Sequence, residues 1–172
     1  MGFLRHHHDE HRTRYTLREK LVSVGDDSWI EDADGERVFK VNGKALRLRR
    51  TLIVETPSGD ELFTIRERKL TIRDKMTIER RGDVVATVHK ALISPLRERY
   101  KIELDGGGEL EAHGNIVDHE YEIERDGRTI AEISKRWLRV RDTYGVEIAS
   151  GEDAPLVLAI TVCIDAMSHP RD

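Results

Sequence analysis

The sequence predicts a mainly β protein: a closed antiparallel barrel of about twelve strands around a central hydrophobic C-terminal helix. Three observations predict it. One long apolar run, APLVLAITVCI at residues 154–164, stands in a chain that is 36% charged. Before it the chain repeats short alternating segments separated by glycine turns. The apolar run has no polar face, so it needs apolar partners on every side.

The final helix is bounded by clear signals. Asp153 is the expected N-cap, because a carboxylate accepts hydrogen bonds from the first free backbone N–H groups. Glu152 suits the positive end of the helix dipole. Pro155 falls in the first turn, where its missing N–H costs little. The helix is expected to end before Pro170, with Ser168 and His169 in the exit. A membrane span needs about 20 apolar residues, and this run stops at Asp165, so a buried core helix is the better reading. The β-branched residues leave a buried strand as the competitor, which Pro155 after an acidic cap disfavours.

Residues 1–12 form a tail rich in histidine (His6, His7, His8, His11) and are expected to be mobile. Residues 13–172 are expected to make a single domain. Six turns are expected at Asp34-Gly35, Ser58-Gly59, Arg81-Gly82, Gly106-Gly107-Gly108, Asp126-Gly127 and Tyr144-Gly145. Between them the apolar residues alternate. Met76 and Ile78 share a face, as do Val84, Ala86 and Val88, then Tyr100, Ile102 and Leu104, then Tyr121 and Ile123, then Val146 and Ile148. Segments Lys44 to Arg50 and Lys90 to Pro95 read as turns or short helical pieces. Six hairpins give about twelve strands with one apolar face each. Closing them removes the sheet edges, and a helix about 10 Å across suits the resulting lumen. A two-sheet sandwich is the competing architecture, but it gives the all-round apolar helix no place.

Composition narrows the function classes. Aromatics are 5%, so the core is mainly aliphatic. The single cysteine, Cys163, lies in the apolar run, which excludes an internal disulfide framework and a cysteine-based zinc site. A buried reduced thiol and the absence of an apolar stretch in MGFLRHHHDEHR point to a cytoplasmic protein, peripheral to the membrane at most. The net charge is −4, unevenly spread: residues 40–101 carry 16 Lys and Arg against 8 Asp and Glu, and residues 102–172 carry 7 against 16. Either a basic patch stands beside an acidic one, or the halves pair across neighbouring strands.

The candidate chemistry is sparse. Arg47, Arg49, Arg50, Arg66, Arg68, Lys69, Arg73 and Lys75 are the candidate site, a patch for anionic lipid headgroups, against a salt-bridged surface as the plainer reading. No aromatic platform is interleaved with them, so nucleic acid is not an expected partner. The His-rich tail is a weak Zn²⁺ or Ni²⁺ ligand set without the supporting shell of a functional site, and whether it binds metal is left open. His119, between Asp118 and Glu120, shares parity with Tyr121 and is expected to pack at a strand start with a hydrogen bond. No nucleophile elbow or nucleophile–base pair is present, so no catalytic residue, cofactor or metal site is expected. Asp165 needs a partner in the core; the expectation is a strand N–H or an arginine at the barrel mouth, with a ligand site there as the alternative. Trp29 and Trp137 are expected at the rim or in the core.

The stretches REKLVSVGDDSWIEDADGERVFKVNGKAL (18–46), GNIVDHEYEI (114–123), AEISKRW (131–137) and DTYGVEIASGEDAPLVLAITVCIDAM (142–167) resemble the LURP-one-related family, which belongs with tubby-like C-terminal domains and phospholipid scramblases. The resemblance implies a twelve-stranded barrel around a central C-terminal helix. It implies no catalytic residues. Tubby domains bind phosphoinositides through exterior basic residues, but no residue here matches those positions one by one. The cysteine cluster and calcium segment of scramblases are missing, which argues against scrambling. The expected function is therefore a non-enzymatic barrel module that binds anionic lipid headgroups or acts near the membrane. A soluble scaffold with a protein partner, and a ligand carrier or enzyme working at the barrel mouth, are the alternatives. Oligomeric state is left open.

Overall fold

The computed structural model describes residues 11–18, 27–46, 49–68, 75–91 and 98–169. The strands are β1 (Arg12–Arg18), β2 (Ser28–Glu31), β3 (Arg37–Leu46), β4 (Arg49–Glu55), β5 (Glu61–Glu67), β6 (Lys75–Arg80), β7 (Asp83–Ala91), β8 (Glu98–Leu104), β9 (Glu109–Asn115), β10 (Glu120–Arg125), β11 (Arg128–Ser134) and β12 (Thr143–Ala149), followed by helix α1 (Ala154–Ser168). Each strand pairs antiparallel with its sequence neighbours, and β1 pairs with β12, closing the barrel. The expected segments Lys44 to Arg50 and Lys90 to Pro95 resolve differently. Residues 44–46 and 49–50 extend the β3–β4 ladder, with Leu46 opposite Arg49. Lys90 and Ala91 belong to β7, and residues 92–95 lie outside the described residues.

The helix begins as its sequence signals require. Asp153 is the N-cap and accepts from the Leu156 backbone N–H at 3.1 Å, and Pro155 lies in the first turn. Every residue from Val157 to Met167 is buried. The helix threads the barrel and approaches β5, β6, β7 and β12 most closely. Its partners are the inward residues of the strands, among them Leu52, Ile65, Ile78, Val88, Ile102 and Val146. Fifteen residues reach about 22 Å, enough to pass from one end of the barrel to the other.

Five of the six expected turns are hairpins. At Arg81-Gly82 and Asp126-Gly127 both residues have positive φ, which matches the twist of the flanking strands. Tyr144-Gly145 is not a turn: both residues lie inside β12. A Cβ at Gly145 would stand 2.9 Å from Trp137 Cε3, so the missing side chain makes room for an indole instead of a bend.

Register shifts sit beside four hairpins, at Ile30/Glu31, Val54/Glu55, Ile78/Glu79 and Ile123/Glu124. One of them overturns part of the expected alternation. The bulge opposite Ile78 and Glu79 turns Val84 outward, 38% exposed, and packs Val85 against the core. On β4 to β6 the outward face is not wet either. Thr51, Ile53, Thr64, Thr77 and Glu79 are buried there. Part of the cover is Arg68, which reaches over Thr77 and Glu79.

Candidate functional site

The up-and-down topology gives the barrel two distinct ends. At the entry end lie the tight hairpins and the start of α1. At the exit end lie the β3–β4, β5–β6, β7–β8, β9–β10 and β11–β12 connections and the end of α1. Assigning each connection to the end where its flanking strands stop separates the charges. Among the described residues, the exit-end positions 18, 27–28, 46, 49, 67–68, 75, 91, 98, 115–120 and 134–143 hold 8 Lys and Arg against 6 Asp and Glu. The entry-end positions 31–37, 55–61, 80–83, 104–109, 125–128 and 149–153 hold 5 against 13. The charge imbalance is therefore axial, because successive connections alternate between the ends. The helix dipole lies along the same axis, its positive terminus at the acidic end. There Glu152 accepts from Arg125 at 2.8 Å, and Asp153 pairs with Arg80 at 3.1 Å.

Five of the eight candidate basic residues, Arg49, Arg50, Arg66, Arg68 and Lys75, are among the described residues and lie toward the exit end. Arg47, Lys69 and Arg73 lie outside the described residues. Arg49 and Arg50 occupy the first positions of β4. Thr51 faces Arg66 across the β4–β5 ladder, and the Arg68 N–H donates to the Lys75 carbonyl, so these strand ends are neighbours on one rim. Arg66 and Arg68 are both engaged with Glu79, at 3.2 and 3.1 Å. Lys75 is half-buried opposite His89.

A second cluster lies at the same end, inside the mouth. His119 precedes β10, adopts φ +54° and is buried. Its Nε2 lies 2.5 Å from Oδ1 of Asp165 in the last turn of α1. The ring stacks on Tyr144 with centroids 4.2 Å apart. His169, just past the helix, also stacks on this ring, at 5.4 Å, and brings Nδ1 to 3.4 Å from the same carboxylate oxygen. The buried Asp165 thus has imidazoles as partners, not the arginine or strand N–H that the sequence suggests. Its ion pairs among the described residues are with His119 and His169 alone. Tyr121 lies close by. Burial first, and then the Asp165 charge, push its phenol well above the ordinary tyrosine range. Gly114 faces Tyr121 across the ladder with φ +133°; a Cβ there would meet Tyr121 Cα and the Glu120 carbonyl at 2.8 Å, so glycine lets this corner close.

This arrangement bears on chemistry. A His–Asp pair is two-thirds of a nucleophile-activating triad, but the other ring nitrogen, His119 Nδ1, is buried with no hydrogen-bond partner among the described residues. Cys163, the one thiol, is fully buried in the core.

On the barrel flank, a cleft of about 250 Å³ is lined by His113, Gly114, Glu120, Tyr121, Glu122 and Glu132. Glu122, Glu132 and Glu147 lie directly opposite one another across β10, β11 and β12. Burial, then the neighbouring Glu122, raise the Glu132 carboxyl above its usual range, while Arg12 opposes the shift. The two tryptophans pack under cations on the exterior. Arg14 lies over Trp137 at 5.1 Å, and Arg37 over Trp29 at 4.9 Å. Of the tail histidines, His11 is exposed and the others lie outside the described residues. Among the described residues no helix is long and apolar enough to cross a membrane.

Comparison with known proteins agrees with this architecture. The uncharacterized protein YxjI of Bacillus subtilis (strain 168) is 27% identical over 154 residues, covering 89% of this chain and 92% of that one. An X-ray structure of a protein from Arabidopsis thaliana superposes with a TM-score of 0.70 over 93% of both chains, at 15% identity. The LURP-one-related family model matches residues 13–165, which include all twelve strands but the first residue of β1, and the helix as far as Asp165. The chain is a member of the LURP-one-related family.

Proposed function

We propose that this chain is a non-enzymatic barrel module that docks its exit end onto anionic lipid headgroups at a membrane surface. The observation that carries the reading is the axial separation of charge. The whole chain is acidic, at −4, so its average field repels an anionic surface. Only an oriented encounter, basic end first, brings attraction. The interior is filled by α1, which leaves the outer surface to act. Each Lys or Arg near an anionic surface contributes up to about 1 kcal/mol. Three or four acting together support weak, reversible binding. The pairing of Arg66 and Arg68 with Glu79 reduces their share, and Arg49 and Arg50 at the start of β4 are the pair chosen for the test.

The test is flotation with phosphatidylcholine vesicles and with vesicles containing phosphatidylserine. Binding is expected only to the second kind. It should weaken as salt rises, since the Debye length falls from about 10 Å at 0.1 M to about 3 Å at 1 M. Arg49→Glu with Arg50→Glu should abolish it while the melting curve stays unmoved. No anionic preference at low salt would overturn the reading and favour a soluble interaction module.

A further inference from the structure

We infer that the mouth of the barrel at the helix exit holds one first-row divalent metal ion of the zinc type, bound by His119, Asp165 and His169. This inference is independent of the lipid reading. The donor atoms, His119 Nε2, Asp165 Oδ1 and His169 Nδ1, all lie within 4.8 Å of one another. Tetrahedral zinc, with bonds of about 2.0–2.1 Å, sets its donors about 3.3 Å apart. His169 and Asp165 already stand at 3.4 Å. His119 and Asp165 stand at 2.5 Å, a hydrogen-bond distance, and part by less than about 1 Å when a metal takes the place of the shared proton. Two imidazoles and one carboxylate select zinc and its neighbours over magnesium or calcium, which prefer all-oxygen sites.

Three features of the corner call for positive charge. Asp165 is a buried carboxylate, 6% exposed, and no Lys or Arg among the described residues reaches it. It sits in the last turn of α1, where the helix dipole disfavours an anion and favours a cation. The connection at residues 115–120 carries Asp118 and Glu120 and no basic residue of its own, Arg136 reaching Glu120 from the β11–β12 connection at 3.7 Å. A divalent ion bound to Asp165 supplies that charge. The rings are also held in place. His119 is fixed by its left-handed backbone and by stacking with Tyr144 and with His169. His169 is partly exposed, so the fourth ligand position faces solvent and takes water.

The experiment uses the full chain with His6, His7, His8 and His11 all changed to Gln, which removes the competing tail. Zn²⁺ is titrated by calorimetry, and Co²⁺ by its visible absorption, whose intensity reports tetrahedral coordination. One equivalent of each is expected to bind, with a melting temperature raised by Zn²⁺. His169→Ala removes the ligand at the exposed edge of the cluster. It is expected to weaken binding at least tenfold and to abolish the Zn²⁺-dependent thermal shift, measured against the variant's own melting curve in the absence of metal. Asp165→Asn should lose the Co²⁺ spectrum. Absence of a stoichiometric site in the tail-substituted chain, or a site that His169→Ala leaves at full strength, would overturn the inference.

Discussion

Replacing Leu158 by alanine tests the packing on which the barrel depends. Leu158 is completely buried, midway along a helix whose residues from Val157 to Met167 are all buried. Large-to-small changes at such sites cost about 2–5 kcal/mol, depending on how far the surroundings collapse into the gap. Collapse is restricted here, because the strands around the helix are hydrogen-bonded into a closed ring. The expected cost is therefore in the upper part of that range, about 3–5 kcal/mol. For a domain of this size each kcal/mol lowers the melting temperature by about 2–4 °C, so the drop should be roughly 6–20 °C. Urea unfolding followed by circular dichroism measures the loss directly, with an unchanged slope showing that the change is in stability. Val140→Ala, at a residue 69% exposed, is the control and should have little effect. A Leu158→Ala chain that loses less than about 1 kcal/mol would refute the plugged-barrel packing, since that is below the range for any well-packed core leucine.

Two further substitutions probe the outer wall. Gly145→Ala drives a methyl group to 2.9 Å from Trp137 and should cost about 1–3 kcal/mol with altered tryptophan emission; much of that cost should vanish in a Trp137→Leu background. Glu132→Gln should stabilise the protein at pH 7. Burial and Glu122, Glu147 and Glu120 raise its folded-state value, with Arg12 opposing. A raised carboxyl contributes most below the ordinary glutamate value, and that contribution is lost as pH rises through the folded-state value. The glutamine variant should therefore gain stability at pH 7, by an amount that solvent screening keeps small at a carboxylate 42% exposed, and nothing below the ordinary glutamate range. A less stable variant at pH 7 would mean that the Arg12 contact, at 3.6 Å, outweighs the like charges.

The helix was the most legible part of the chain because its signals are local: an acidic cap, a first-turn proline and apolar residues on every side. Alternation also placed Tyr100, Ile102, Tyr121, Ile123, Val146 and Ile148 correctly in the core. Two errors have physical causes. Glycine reads as a turn, yet Gly145 serves a close approach by a residue eight positions earlier, which has no local signature. A bulge adds a residue without changing composition, so Val84 and Val85 exchanged faces unannounced. The mouth cluster was half legible. His119 and Asp165 each stood out, but they are 46 residues apart, and only the alternation of strand ends brings them together. His169 read as a helix exit; its role depends on where the helix emerges. The charge split read in blocks along the chain was real but misaligned, because connections alternate between the two ends of the barrel.

The central functional claim is that the two ends of this barrel differ in what they meet. Hydrogen exchange of the full chain, with and without vesicles containing phosphatidylserine at low salt, tests it most directly. The account predicts slower exchange at the exit end, at the start of β4 around Arg49 and Arg50 and around Arg68 and Lys75. The entry-end hairpins at Gly35, Gly59 and Gly127 should exchange as they do in free protein. Protection spread evenly over both ends, or confined to the entry end, would contradict it.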